Sequence, residues 1–418
     1  MANKKNKKVE LIAPAGSWEC LNAAIKAGAD SVYFGIEEMN MRARSAKNFS
    51  LSEINKIASL CHKNNVKCYL ALNILLYDKD IGRMKKICDA SKKAKIDAVI
   101  ATDITAIEYA RSIGLNVHIS TQANVSNFEA VKFYSRYSDM VVLARELGLD
   151  EITSIIKRIE KEKVKGPSGE LVKVEIFAHG ALCVSIAGKC HMSLSTYNHS
   201  ANRGDCLQPC RRSYRVIDEE TGDELIIDNK FVMSPKDLCT IGFIDKILDS
   251  GVKALKIEGR GRSEDYVYTV VKAYGEAINS YYTRDYTKEK INEWTKQLES
   301  VFNRGFWHGG YYLGNKLGEW SGTFGSKATK KKEFVGLVQN YYPKKNVASV
   351  LMQSSGIKCS DELAITGPTT GIVNFSVNEM YVNDRKLEKS SKGDLITIKV
   401  PEKVRKNDRV YVLAGGRN

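Results

Sequence analysis

The sequence predicts a parallel α/β barrel of eight strands, of the TIM type, followed by a small all-β barrel domain. Between Val9 and Arg260, short β-prone runs alternate with amphipathic helical segments, and the runs are apolar on both faces. After a lysine-rich stretch at 327–333, β-prone runs alternate directly with turns instead. That second pattern is typical of a small antiparallel domain.

Eight β-prone runs are spaced by segments with helical periodicity, such as residues 51–64. Strands that are apolar all round belong to a parallel sheet covered by helices, and eight such repeats fit a closed barrel. The predicted strands are residues 11–14, 31–35, 67–73, 98–103, 116–122, 140–145, 174–179 and 254–258.

The predicted barrel domain covers residues 1–326. It includes a cysteine-rich insertion at 181–254, which follows the seventh strand and therefore leaves the barrel at the carboxyl ends of the strands. Helical segments at 266–282 and 287–302 precede a glycine- and aromatic-rich run at 305–325, which we interpret as a connector or lid.

The predicted C-terminal β-barrel domain covers residues 333–418. Its cations could face nucleic-acid phosphates, although solvated turns explain such charges at least as often. These cations are Lys344, Lys345, Lys386, Lys403, Arg405, Lys406 and Arg409. The predicted strands are residues 335–339, 347–352, 363–366, 395–400 and 409–413.

The composition describes a globular chain with excess positive charge. Of 418 residues, 43% are hydrophobic, and 64 lysines and arginines against 49 acidic residues give a net charge of +15. This charge favours a polyanionic partner such as nucleic acid, although a lysine-rich composition explains it equally well. No run approaches the roughly 18 apolar residues of a membrane span, and residues 1–8 are basic without the apolar core of an export signal. We expect a cytoplasmic protein without a membrane partner.

Four cysteines, Cys183, Cys190, Cys206 and Cys239, are clustered in the sequence, and Cys210 is a fifth thiol nearby. In a reducing compartment, clustered thiols more often bind metal than form disulfides. The absence of a C-x-x-C pair favours an iron-sulfur cluster, whereas the short gap between Cys206 and Cys210 keeps zinc open.

Glycines and arginines accompany the clustered cysteines. Gly180, Gly188 and Gly204 would allow sharp turns beside a cluster, although ordinary loop glycines are the alternative. The flanking arginines could offset an anionic cluster or hold a phosphate backbone. They are Arg203, Arg211, Arg212 and Arg215.

Polar residues follow almost every predicted strand. The carboxyl ends of barrel strands converge on one rim, where such barrels have their active sites. Two or three arginines around one pocket fit a small dicarboxylate, although exposed salt bridges and structural caps are individually commoner. The predicted substrate-binding residues are Arg42, Asn73, Gln122, Arg145, Lys256 and Arg260.

Two residues at this rim are candidates for proton transfer. His179 ends the seventh strand, directly before the cysteines, although a lone histidine is more often a structural residue. Glu258 lies between Lys256 and Arg260, and the alternation of these side chains with Ile257 lets all three point into the barrel. Because unpaired buried charges are costly, these three groups must pair with one another or with an ionic ligand.

The region of the cysteines resembles the peptidase U32, or collagenase-like, family. Residues 11–16, the segment from Tyr33 to Arg44, and residues 234–239 and 255–260 also look like family hallmarks, so the resemblance covers nearly the whole chain. The residues that match the family signature are Glu175, Phe177, Gly180, Ala181, Cys183, Gly188, Cys190 and Ser193.

Despite the family name, the resemblance implies an oxygen-independent hydroxylase with a 4Fe-4S cluster. One branch modifies tRNA, another ribosomal RNA and a third the ubiquinone ring. The length, single barrel and C-terminal module are most similar to the tRNA branch, in which prephenate is co-substrate and the wobble uridine of the anticodon loop becomes 5-hydroxyuridine. The implied cluster ligands are Cys183, Cys190, Cys206 and Cys239, with Cys210 competing for the fourth position.

Three alternatives stay open. A U32-type peptidase is one, although the sequence contains neither G-x-S-x-G nor H-E-x-x-H, and cluster-bound thiolates are not free nucleophiles. A hydroxylase of rRNA or of a quinone precursor is another, and a non-catalytic RNA-binding protein with a structural metal is the third. A partner subunit or paralogue is compatible with each of them.

Overall fold

Ten strands, β1 to β10, form the sheet of the barrel region in the computed structural model, which describes residues 9–215, 217–224, 231–314 and 319–415. They are β1 (Glu10–Ala15), β2 (Ser31–Gly35), β3 (Lys67–Leu72), β4 (Ala98–Ala101), β5 (Val117–Ile119), β6 (Met140–Val142), β7 (Lys173–Gly180), β8 (Asp237–Cys239), β9 (Ala254–Ile257) and β10 (Phe306–His308). Strands β1 to β7 pair in order and in parallel, and β9 pairs in parallel with both β7 and β1. The predicted eight-stranded closed barrel is confirmed.

Most helices follow barrel strands and cover their outer faces, and one short helix belongs to the insertion. They are α1 (Trp18–Lys26), α2 (Ile54–Lys63), α3 (Ile81–Lys93), α4 (Ile104–Ser112), α5 (Phe128–Tyr134), α6 (Leu149–Glu162), α7 (Met192–Tyr197), α8 (Ile244–Asp249), α9 (Glu264–Tyr282) and α10 (Lys288–Glu299). Leu11 and Phe34 belong to the large core between strands and helices. Ile12, Tyr33 and Met140 belong to a separate cluster, since successive strand residues point to opposite faces. This second cluster fills the barrel interior beneath the carboxyl rim.

The insertion extends the barrel sheet on one side. Strand β8 runs antiparallel to the end of β7, with Cys239 opposite His179, and β10 pairs in parallel with β8. The run predicted as a connector or lid therefore supplies a strand, and an isolated bridge between Pro235 and Trp320 fastens it further to the insertion. Residues 315–318 of that run lie outside the described residues.

An antiparallel sheet of eight strands forms the C-terminal part, and it confirms the predicted all-β domain. Along the sheet the order is β14-β13-β18-β11-β12-β17-β15-β16. The strands are β11 (Lys330–Tyr342), β12 (Val347–Met352), β13 (Glu362–Gly367), β14 (Gly371–Ser376), β15 (Met380–Val382), β16 (Arg385–Leu387), β17 (Leu395–Lys399) and β18 (Arg409–Gly415).

Residues 357–360 connect the two edges of this sheet. The backbone N–H of Cys359 donates to Glu388 at 2.9 Å, and the N–H of Ser360 donates to Val377, just beyond β14, at 2.7 Å. The sheet therefore curls toward a barrel. Three strands, β14, β15 and β16, were not predicted. β15 and β16 have only three residues each, which is too short to show an alternating pattern.

The C-terminal sheet packs against the first and ninth helices. Ala23 of α1 contacts Ala364 and Ile372 in one apolar cluster. Lys332 Nζ lies 2.8 Å from a carboxylate oxygen of Glu264 and 2.7 Å from one of Asp265, at the start of α9. The domain boundaries at 326 and 333 stay a prediction.

Among the helices of the described residues, none combines the length and the apolar character needed to span a membrane. The basic segment 1–8, on which the expectation about export rested, lies outside the described residues.

Candidate active site

One cavity of about 50 Å³ lies inside the carboxyl rim of the barrel. It is lined by all six predicted substrate-binding residues and by Glu258, so the structure brings together side chains that are as far as 218 positions apart, from 42 to 260. These are Arg42, Asn73, Gln122, Arg145, Lys256, Glu258 and Arg260. Their convergence follows from closure of the parallel barrel, which places the ends of distant strands around one opening.

Glu258 is the acidic centre of this cavity. Arg42 Nη2 and Nε donate to Glu258 Oε1 at 2.9 and 3.2 Å, and Arg145 Nη2 lies 3.9 Å from Oε2. Burial alone would raise the pKa of Glu258, but the charges of Arg42 and Arg145 outweigh burial and lower the pKa to about 2. Glu258 is therefore ionised at neutral pH and is a weak proton acceptor. Its role in this cavity is to hold the guanidinium groups of Arg42 and Arg145 in place.

Arg260 has hydrogen-bonding capacity to spare. Its Nη2 donates to Asn40 Oδ1 at 2.6 Å, while its Nε and Nη1 are buried and have no hydrogen-bond partner among the residues that the structure describes. Burial lowers the pKa of Arg260 to about 10, so the group stays charged at neutral pH. Arg145 Nε and Gln122 Oε1 are also buried, and within the described part of the chain neither has a partner. Buried N–H groups of this kind favour a bound acceptor, and a carboxylate is the best match to a guanidinium.

Lys256 and Glu175 form a buried ion pair below the arginines. Lys256 Nζ lies 2.8 Å from Glu175 Oε1 and 4.5 Å from the centre of the Tyr33 ring. Burial raises the pKa of Glu175, although Lys256 opposes that shift. Because the lysine is already paired, it is a less available ligand for substrate than Arg260.

A second cavity, of about 230 Å³, adjoins the first on the side of the insertion. Cys183, Cys206 and Cys210 line it, and it shares Met41, Arg42, Arg145 and Glu258 with the barrel cavity. The Arg42–Glu258–Arg145 cluster is therefore a common wall between a thiol-lined space and a cationic space.

The structure places Cys210, rather than Cys239, with the other clustered thiols. Cys183 is exposed, and Cys190, Cys206 and Cys210 are half-buried. Burial raises the pKa of Cys210 to about 11, with Cys183, Cys206 and Cys190 adding to the shift and Arg211 opposing it. The four thiols therefore influence one another electrostatically.

Cys239 lies in a different environment. It is fully buried in β8, its Sγ is 4.0 Å from the hydroxyl oxygen of Tyr274, and it does not line the thiol cavity. Burial raises its pKa to about 12. The structure thus does not bring Cys239 to the other three predicted ligands, and its assignment as the fourth ligand stays a prediction that Cys210 competes with.

Two glycines fit the insertion onto the barrel rim. Gly204 has φ +82°, and a side chain there would meet the backbone oxygen of Asn40, at 2.1 Å from its Cβ. Gly188 has φ +72°, and a Cβ there would lie 2.3 Å from Gln122 Oε1. Both positions require glycine for conformation and for close approach. In this structure the two glycines let the insertion dock on the rim, and their predicted role beside a cluster stays a prediction.

Sequence reasoning missed two arginines of the thiol cavity, Arg262 and Arg304, although it noted Arg211. The guanidinium of Arg262 stacks 3.6 Å from the centre of the Phe302 ring, and Arg304 Nη1 lies 3.4 Å from Asp237 Oδ1. The spacing of Arg262 two residues beyond Arg260 was an available signal. No local signal connects Arg304 with the cysteines.

His179 lies outside both cavities. It is 2% exposed, its Nδ1 is 3.3 Å from the Tyr274 hydroxyl, and its ring packs on Phe306 with 5.5 Å between centres. Burial and the charge of His308 lower the pKa of His179 to about 3. The structure places this histidine as a neutral core residue, and its predicted role in proton transfer is untested.

The motif resemblance and the geometry agree with a family assignment. The chain matches peptidase family U32 over residues 16–322 and belongs to that family. A collagenase from Porphyromonas gingivalis is 52% identical to this chain over 96% of the chain and 97% of the relative. A tRNA hydroxylation protein from Bacillus subtilis is 35% identical over 88% of this chain and 86% of the relative. A 23S rRNA 5-hydroxycytidine synthase from Escherichia coli is 30% identical over 65% of this chain and 40% of the relative.

Replacement of His179 by phenylalanine should make the fold less sensitive to acid. The unfolded histidine binds a proton below its usual pKa of 6.5, whereas the buried one does so only near about 3. Stability is therefore lost as pH falls through this window, by about 1.4 kcal/mol per pH unit from this group. We expect the free energy of unfolding of His179→Phe, measured in urea, to fall less than that of the wild type between pH 7 and pH 5. The exposed residue His191 supplies the control, His191→Phe, and an equal fall in His179→Phe and wild type would contradict the placement.

Proposed function

We propose that the protein is an RNA hydroxylase that converts the wobble uridine of tRNA to 5-hydroxyuridine, without oxygen and with prephenate as co-substrate. One observation carries the proposal: the thiol-lined cavity and the cationic barrel cavity share the wall formed by Arg42, Glu258 and Arg145. A redox centre and an anionic co-substrate would thereby be neighbours. Relatives named for hydroxylation of tRNA and of rRNA support the same class of reaction.

The thiol cavity fits an iron-sulfur cluster by the chemistry of its donors. Cys183, Cys206 and Cys210 line it, and Cys190 is close enough to influence the pKa of Cys206 and Cys210. Thiolates are the protein ligands of 4Fe-4S clusters, and the cavity wall includes Arg211 and Arg262, whose charges would offset an anionic cluster. When bound, the cluster would supply one-electron chemistry beside the substrates. We propose Cys183, Cys190 and Cys206 as ligands, with Cys210 or Cys239 as the fourth.

The size of the barrel cavity restricts how prephenate would bind. Its volume of about 50 Å³ is small beside the adjoining cavity of about 230 Å³, so most of the co-substrate would lie in the larger space. We place one carboxylate on the unpartnered N–H groups of Arg260, and the rest of the molecule past Glu258 in the cavity of about 230 Å³. Arg42 and Arg145 would then orient the co-substrate, and Glu258 would hold these two guanidinium groups in position.

A cleft between the barrel and the C-terminal sheet is the proposed path for RNA. Its volume is about 660 Å³, and it meets the thiol cavity at Ser45, Gly261 and Arg262. Exposed cations on its walls include Lys406 and Arg409. Phosphates could bind there while an unpaired anticodon base reaches the thiol cavity, which is how single-stranded bases are usually presented to enzymes.

A peptidase is the second candidate, because a relative named collagenase is 52% identical over nearly the whole chain. Gelatin hydrolysis by highly purified protein that disappears in Cys183→Ser would favour it. If hydrolysis is absent, or is equal in the wild type and in Cys183→Ser, this chain is not a peptidase that depends on Cys183. We further predict that the protein acts in the cytoplasm and that it has a partner subunit or a paralogue.

Replacement of Cys183 by serine should abolish the modification. We expect cells carrying Cys183→Ser to lack 5-hydroxyuridine and its derivatives in tRNA, by mass spectrometry of nucleosides, and the purified variant to lose cluster iron and absorbance. Cys359→Ser, in the C-terminal sheet, is the matched control. Unchanged tRNA would contradict the uridine assignment, and a loss of hydroxycytidine from rRNA would retain an RNA hydroxylase with another substrate.

Replacement of Arg260 by glutamine should weaken prephenate binding. Loss of charged hydrogen bonds, each contributing about 1.5–3 kcal/mol, should raise the dissociation constant about tenfold or more, measured by isothermal titration calorimetry. Arg111→Gln, on the outer helix α4, should bind as the wild type does. Equal affinity in Arg260→Gln would exclude the barrel cavity as the carboxylate site.

Charge reversal in the cleft should weaken tRNA binding and its dependence on salt. For Lys406→Glu with Arg409→Glu, we expect the slope of log affinity against log salt to become shallower by about 2, because two phosphate contacts are lost. Lys85→Glu with Lys86→Glu, on the outer helix α3, is the matched control. Two equal slopes would place the RNA elsewhere.

A further inference from the structure

A compact group of metal-binding side chains lies at the amino end of the barrel strands, remote from the carboxyl rim. His62 Nε2 is 3.0 Å from Asp97 Oδ2, and Cys68 Sγ is 3.5 Å from the same oxygen and 3.8 Å from His62 Nε2. The ligand atoms of the three residues all lie within 4.8 Å of one another. Nothing in the proposed hydroxylation uses them.

Three different elements hold this group. His62 is in the last turn of α2, Cys68 is the second residue of β3, and Asp97 directly precedes β4. The backbone N–H of Cys68 donates to Asp97 Oδ2 at 2.8 Å, and the N–H of Asp97 donates to the backbone oxygen of Cys68 at 3.1 Å. The carboxylate is thus fixed against the barrel before any ion arrives.

The three side chains offer one sulfur atom, one imidazole nitrogen and one carboxylate oxygen. Cys68 is fully buried. His62 and Asp97 are partly exposed, with side-chain exposures of 40% and 32%, so an ion could reach the site from solvent.

We propose that His62, Cys68 and Asp97 bind a divalent cation of borderline softness, such as Zn²⁺. Metal–ligand bonds of about 2.0–2.3 Å in a tetrahedron put neighbouring donor atoms roughly 3.3–3.7 Å apart. The three distances observed, 3.0, 3.5 and 3.8 Å, lie around that range, so small side-chain adjustments would seat the ion on three protein ligands, with water in the fourth position. Mixed sulfur, nitrogen and oxygen donors suit zinc better than calcium or magnesium.

The site has a structural role in this proposal. It joins the end of α2 to the starts of two neighbouring strands, at the barrel face associated with stability rather than with catalysis. Binding releases the proton of the Cys68 thiol, because the thiolate is the form that coordinates metal. The competing explanation is a cap in which Asp97 only accepts hydrogen bonds from Cys68 and His62.

Cobalt(II) is the probe that separates these explanations, because thiolate-bound tetrahedral Co²⁺ absorbs in the visible and near ultraviolet. The full chain is used with Cys183, Cys190, Cys206, Cys210 and Cys239 replaced by serine, so that thiols of the carboxyl rim do not contribute. We expect one equivalent of Co²⁺ to give these bands, Zn²⁺ to displace it, and Cys68→Ser to remove the bands. His62→Ala should weaken binding at least tenfold, whereas Lys63→Ala, on the same helical turn, should not.

Absent bands, or bands unaffected by both Cys68→Ser and His62→Ala, would overturn the metal site. His62 is partly exposed, so its replacement tests the site even if Cys68→Ser fails to fold. If the cysteine-depleted background does not fold, Co²⁺ stoichiometry is compared between Cys68→Ser and Cys88→Ser in the otherwise unchanged chain. Cys88 is a buried thiol of α3, and equal stoichiometry in those two variants would also reject the site.

Discussion

Closure of the barrel by β9 is the constraint on which the rest of the molecule depends. This strand pairs with β7 on one side and with β1 on the other, so its end has only one position relative to the other loops. Glu258 follows it directly and meets Arg42 from the loop after β2 and Arg145 from the loop after β6. Without that closure these side chains would have no common centre. The wall between the two cavities is thus a product of backbone pairing as much as of charge.

Charge balance then decides what the rim can bind. Within the barrel cavity, Arg42, Arg145 and Arg260 face the single carboxylate of Glu258, while Lys256 is neutralised by Glu175. Unpaired buried charge is expensive, so an anionic ligand is the natural complement of this arrangement. The same balance makes Glu258 a poor proton carrier, because the arginines that it holds keep it ionised. Positioning and proton transfer are here competing demands on one carboxyl group.

Much of the fold was predictable because barrel strands have a regular signal. Eight runs apolar on both faces identified the eight strands, and the residues just beyond them identified the rim, since position in a parallel barrel follows from strand order. The insertion was not predictable in this way. Its thiols are placed by tertiary docking, through Gly188 against Gln122 and Gly204 against Asn40, and such contacts leave no periodic trace in the sequence. Only that docking shows that Cys210, rather than Cys239, lies with the other clustered thiols.

The unpartnered N–H groups of Arg260 have a consequence for how this chain can change. A buried guanidinium with two unused donors lowers the stability of the ligand-free fold, and an apolar side chain of similar length would pack there more favourably. Stabilising substitutions at position 260 should therefore be easy to find but should impair ligand binding. This is the known trade-off between stability and function at a binding site. Selection for thermal stability alone would therefore favour the replacement of Arg260 and the loss of this binding site.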